Sequence, residues 1–167
     1  MTDEVDELQA QWRHSRPGLD VGPAGVFQRV LRIARLTDTL TDAALAGHGI
    51  DRAGFEVLSL LVRSGAAVSP ARIADALRIT RAAVTKRLRQ VEAAGLARRR
   101  PHGHDGRSAV IEVTAKGRAA VHPALETVSS LEASWLATLP AADRAALEPA
   151  LRRLLATLVQ AAEPGRQ

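Results

Sequence analysis

The stretch SPARIADALRITRAAVTKRLRQVEAA, Ser69 to Ala94, holds two short helical patterns separated by three residues. Ser69 followed by Pro70 marks a helix start. A serine side chain accepts a free N–H of the first turn, and a proline at the first position has no N–H to lose. The residues RIT make a tight turn, Thr80 is placed to cap the second helix, and Gly95 is placed to end it. Downstream, LARRRP (residues 96–101) and SAVIEVT (108–114) read as two short strands around a glycine-bearing turn with Gly103 and Gly106.

The second helix has two unlike sides. At about 100° per residue, with Val84 set to zero, Leu88 and Val91 fall within about 40° of it. These three form the stripe that must be buried. Arg81, Thr85 and Arg89 lie at about 60–140°, and Ala82 and Lys86 at about 160–200°. That face offers three cations, a hydroxyl and a small residue that permits close approach. A major groove about 12 Å wide admits such a helix, where arginine or lysine meets guanine and threonine meets a thymine methyl or a phosphate. Helix, turn, helix and hairpin in this order make a winged helix-turn-helix. The expected DNA-contacting residues are Thr80, Arg81, Ala82, Thr85, Lys86, Arg89 and, beside the hairpin tip, Arg107.

The distribution of charge agrees. From Arg78 to Arg118 there are eleven Lys/Arg against three acids, a net +8, while the remainder of the chain carries −3. A basic segment in a slightly acidic body is the footprint of a polyanion binder. Arg107, projecting from the turn, suits the concentrated negative potential of a narrow minor groove. Asp105 is expected to hold the hairpin or the arginine rather than to face phosphates. His102, His104 and Asp105 are chemically possible metal ligands, which leaves a metal-responsive regulator as an alternative. Adjacent arginines repel a cation, however, and alternate residues of a turn rarely converge on one ion. No metal site and no cofactor is expected. A winged helix used for protein contact is a further alternative. RNA is disfavoured because the basic face has no stacking aromatics.

The rest of the chain is helical in pattern. Residues 3–14 carry Val5, Leu8 and Trp12 at helical spacing, and residues 23–46 predict a long helix with Val26, Val30, Ile33, Leu40 and Leu45 among its apolar positions. Asp51 is placed to cap RAGFEVLSLLVRSG, and the segments 114–139 and 142–162 predict two closing helices. Pro149 predicts a kink or a restart in the last one, since an interior proline removes a backbone bond. The fold class is mainly α with a small β-hairpin wing, flanked by N- and C-terminal dimerisation helices. Three regions follow: 1–48 for dimerisation and ligand, 49–116 for DNA, and 117–163 for dimerisation. The 167 residues are 46% apolar yet only 2% aromatic, which favours Ala- and Leu-rich helices over sheet. No apolar run is long enough to cross a bilayer, the start MTDEVDELQ lacks a signal-peptide core, and there is no cysteine. A soluble, cytoplasmic chain without thiolate chemistry is expected. No nucleophile elbow, Walker loop or H-E-x-x-H is present, so no enzymatic activity is expected.

From Ser69 to Arg118 the chain resembles the MarR family of bacterial transcription regulators. The VEAAGL junction, the D-x-R wing at Asp105–Arg107 and the VTAKG exit stand in the family's order. Upstream, GIDRAGFEVLSLL is similar to the family's GLSRGEFDVLATL, and PAADRAALEPALRRLL to its closing dimerisation helix. The resemblance implies a homodimer on a pseudo-palindromic double-stranded operator, a repressor answering a small-molecule effector, without a membrane. QWRHSRPGLD is similar to the first helix of the family's urate-responsive branch. Carried over residue by residue, that branch's ligand set falls on Trp12, Glu56, Arg87 and Arg99. Glu56 stands where the branch has aspartate, so the implied ligand is a small anionic aromatic rather than urate itself. Arg87, at about 300° on the wheel, points inward and wants a carboxylate, from a ligand or from Glu56. Trp12 is open to a second reading, as a packing residue of the first helix.

Overall fold

Asp3 opens the first helix, α1 (Glu4–Ser15), with a reciprocal cap. Its carboxylate accepts the N–H groups of Val5 at 2.9 Å and Asp6 at 3.1 Å, and the Asp6 side chain accepts the Asp3 N–H at 2.9 Å. The computed structural model describes residues 2–102 and 108–162, with backbone alone at His102 and Ser108. The hairpin-tip residues His104, Asp105 and Arg107 therefore lie outside the described residues, as does the side chain of His102.

Side-chain contacts tie α1 to α2 (Gly22–Leu45), an Arg32–Glu4 ion pair among them. The buried Gln9 amide donates to the Val21 carbonyl at 2.7 Å, and Arg29 bonds Asp3 at 2.8 Å and Asp6 at 2.7 Å. Arg29 holds the Asp3 carboxyl below its ordinary value, and the Asp3 backbone N–H, with Arg29 beside it, does the same for Asp6. Of the apolar positions on α2, Leu45 is buried, while Val26, Val30, Ile33 and Leu40 remain more than a third exposed.

A short 3-10 turn, Ala46–His48, leads to α3 (Arg52–Ser64), where Asp51 accepts the Gly54 N–H at 2.7 Å. Ser69 caps α4 (Pro70–Leu77) through the Arg72 N–H at 3.3 Å, and Thr80 caps α5 (Arg81–Ala93) through the Ala83 N–H at 3.2 Å. The two strands, β1 (Ala97–His102) and β2 (Ser108–Val113), pair antiparallel with Arg98 opposite Glu112 and Arg99 opposite Ile111. Val68 adds a bridge to Ile111 on the other edge of β2. The closing helices are α6 (Ala115–Leu136) and α7 (Ala141–Ala162).

The core lies under α5. Val84, Leu88 and Val91 are all buried, as are Phe55, Val57, Leu58 and Leu61 of α3, Ile73 of α4, Ile111 of β2 and Val121 of α6. Helix α3 packs against α2, α4, α5 and β2 and so forms the hub. By packing, the chain divides at residue 125, with α6 beginning in the first unit and ending in the second. In the second unit, α7 buries none of its described residues, and Leu147, Leu151, Leu155 and Leu158 form an exposed apolar stripe along it. Among the described residues no helix is long and apolar enough to cross a membrane.

The restart foreseen at Pro149 does not occur: α7 runs unbroken from Ala141 to Ala162 through it. Pro149 deletes one backbone bond, but the alanines, leucines and arginines on both sides are strong helix formers and carry the helix across. Pro123, inside α6, is accommodated likewise.

The root of the wing is closed by a compact junction. The Thr114 N–H donates to the Leu96 carbonyl at 3.0 Å, and its hydroxyl donates to the Gly95 carbonyl at 2.8 Å while accepting the Gly117 N–H at 3.0 Å. Helix α6 comes so close that a β-carbon at Gly117 would stand 2.0 Å from the Leu96 carbonyl oxygen. The obstacle is backbone and cannot swing aside. Gly117→Ala is expected to cost about 1–3 kcal/mol, the range for overpacking a tight site, as read by urea unfolding with an unchanged slope.

Candidate nucleic-acid interface

Burial of Val84, Leu88 and Val91 decides what α5 shows to solvent. Arg81, Ala82, Thr85, Lys86 and Arg89 are all exposed. The side chains of Arg81, Lys86 and Arg89 make no hydrogen bond or ion pair with any described residue. Thr80 is occupied as the cap of α5. The Thr85 hydroxyl donates to the Arg81 carbonyl at 2.9 Å, so its methyl group and remaining lone pair are what it offers outward. That favours a thymine methyl over a phosphate, which needs a donor.

Five other cations of this region are engaged. Arg87, half-buried on the inner side of α5, donates to Glu56 of α3 at 2.5 Å. Arg99 reaches Glu92 at 3.3 Å, so the only acid of α5 is turned to the strand and away from the groove face. Arg98 and Arg100 both bond Glu112 across the hairpin at 3.0 Å. Lys116 donates to the Ala94 carbonyl at 2.9 Å, where a cation meets the negative end of α5. Free cations thus stand on the face of α5 that points outward, and paired ones hold the framework behind it.

The residues expected to bind an effector separate. Glu56 and Arg87 line a cleft of about 400 Å³ between α2, α3 and α5, along with Asp38, Asp42, Asp51 and Arg52. Acids outnumber cations there four to two, and Glu56 lies 3.5 Å from Arg52 as well as against Arg87. Trp12 is an exposed residue of α1 and Arg99 is tied to Glu92; neither lines this cleft. The inward arginine has met the protein's own carboxylate.

The Glu112 clamp on the wing arginines, the Thr114–Gly117 junction and the Arg29 latch on α1 were not anticipated. The first had a signal, since in an antiparallel hairpin of this register a glutamate falls opposite Arg98. The latch joins residues 23 and 26 apart on two helices, which no local pattern reveals.

The chain is similar to known proteins. The family model described as MarR family matches residues 48–108. The HTH-type transcriptional regulator PecS of Dickeya dadantii (strain 3937) is 37% identical over 125 residues, covering 74% of this chain and 75% of PecS. The chain belongs to the MarR family. It is accordingly a DNA-binding transcriptional regulator and not an enzyme. Among solved structures, the MosR regulator of M. tuberculosis in complex with DNA is 30% identical, with a TM-score of 0.65 over 84% of this chain and 97% of that one. A MarR family regulator from Streptomyces coelicolor has a TM-score of 0.73 at 22% identity, covers 84% of this chain and 97% of its own, and shares the fold.

The wing clamp makes a prediction. Arg100 foremost, and Arg98 beside it, hold the Glu112 carboxyl below the ordinary glutamate value. A lowered native value means stability present above the unfolded value, about 4.3, and lost as pH falls through the native one. Glu112→Gln should therefore melt below the wild type at pH 7. The gap should close progressively as melts are repeated below about pH 4.3.

Proposed function

We propose that this MarR family member is a homodimeric repressor that presents two copies of α5 to successive major grooves of a pseudo-palindromic operator. The observation that carries this reading is the sorting of cations on α5: Arg81, Lys86 and Arg89 are exposed and have no partner among the described residues, whereas Arg87 is tied inward. Arg81 and Arg89 are the candidates for guanine edges, Thr85 and Ala82 for close apolar contact, and Thr80 for the backbone beside them. Arg107 is assigned to the flanking minor groove. The exposed apolar positions of α2 and the leucine stripe of α7 support dimerisation, because stripes of this kind are costly in water.

The effector site in this reading is the cleft holding Glu56 and Arg87. A small aromatic anion would enter by taking Arg87 from Glu56. The Glu56–Arg87 pair links α3 to the groove helix, so a ligand that separates it alters how α5 is held. Two half-sites about 34–36 Å apart must be met together. A small change of angle then weakens binding without touching a DNA contact.

Selection of duplexes from random DNA, repeated with a panel of small aromatic acids, tests both halves. On the selected operator, Arg81→Ala and Arg89→Ala are each expected to lose about 1–3 kcal/mol of specific binding. Arg107→Ala should weaken binding and flatten its salt dependence. Equal binding by all three variants, or no selected sequence at all, would mean that α5 does not read a groove. Glu56→Gln loosens the pair without any ligand and is expected to lower operator affinity and to reduce the further release caused by aromatic acid, as followed by fluorescence anisotropy.

A further inference from the structure

We propose that Arg78, in the turn between α4 and α5, contacts the DNA phosphate backbone at the rim of the groove. The proposal rests on the reading of α5 as the groove helix. Arg78 has φ 53° and ψ 41°, and it is the one non-glycine residue with positive φ among the described residues. The left-handed conformation is required there. The Ile79 N–H must reach the Ala74 carbonyl at 3.1 Å, and the Arg78 N–H the Asp75 carbonyl at 3.4 Å, to close the end of α4. Glycine suits such a position best, because a β-carbon crowds the neighbouring carbonyl.

Among the described residues nothing repays an arginine here. The side chain is exposed and makes no hydrogen bond or ion pair with any described residue, Asp75 three residues earlier included. A strained residue kept without an internal partner points to a partner outside.

Its place names that partner. Arg78 precedes Arg81 by three residues, which puts their Cα atoms within about 11 Å of each other. In a helix-turn-helix on DNA the first helix crosses the sugar–phosphate backbone while the start of the second enters the groove. The turn joining them therefore passes over the rim, where phosphate oxygens are within reach and base edges are not. A planar guanidinium matches a phosphate with two parallel N–H donors. Such a contact fixes register and orientation and carries no sequence information.

The test uses the full chain as wild type, Arg78→Gly, Arg78→Lys and Arg81→Ala. Affinity for the selected operator and for an unrelated duplex is measured by fluorescence anisotropy across a salt series, alongside thermal melts. Arg78→Gly is expected to weaken both duplexes alike, roughly tenfold, to lower the slope of log affinity against log salt by about one per protomer, and to melt no lower than wild type. Arg78→Lys should keep the slope, and Arg81→Ala should reduce preference for the operator. If Arg78→Gly binds with wild-type affinity and slope, the assignment is overturned, and likewise if it melts lower with the slope unchanged. A wild type that ignores duplex sequence would remove the groove reading of α5, and this contact with it. Sequence preference in the wild type, with no effect at position 78, would remove the contact alone.

Discussion

The packing of Val84, Leu88 and Val91 against the α3 hub decides the rotation of α5 about its own axis, and with it every charge that faces outward. A helix turn is about 100° per residue. Advancing the buried stripe by one position would carry Arg89 toward the hydrophobic interior and turn Arg87 outward. Burying an unpaired cation is costly enough to forbid that alternative. Apolar burial supplies the energy, and the cations, by refusing burial, fix the angle.

Around that helix the protein uses carboxylates as organisers. Glu56 takes Arg87, Glu92 takes Arg99, and Glu112 takes Arg98 and Arg100. None of these pairs is fully buried, so each adds little stability by itself. Their effect is to remove four arginines from the pool of free charge. What remains is a narrower positive surface than the +8 of the segment suggests, centred on the start and outer side of α5. Specific DNA recognition needs this, since phosphate attraction alone does not distinguish one sequence from another.

Much of this was legible in the residues. Ser69, Pro70 and Thr80 placed the two helices because capping chemistry is local, and the three-residue stripe of α5 followed from periodicity alone. The hairpin followed from its glycines. The inward aim of Arg87 was readable too, but the choice between an effector and Glu56 as its partner was not, because it depends on how close α3 comes. The separation of Trp12 and Arg99 from Glu56 and Arg87 is likewise a matter of tertiary distance. The continuity of α7 through Pro149 depends on neighbours whose helix-forming tendency outweighs a single lost bond. The left-handed turn at Arg78 escaped notice because an arginine gives no conformational warning.

The junction at Thr114 has a mechanical meaning. Leu96 enters β1, Thr114 leaves β2, and Gly117 begins the climb of α6, yet all three are stitched together through one side chain and one carbonyl. No spare residue lies between the hairpin root and the helix to act as a hinge. The root of the wing and the opening turn of α6 therefore swing as a single piece, so a twist applied to that turn arrives at the strands undamped.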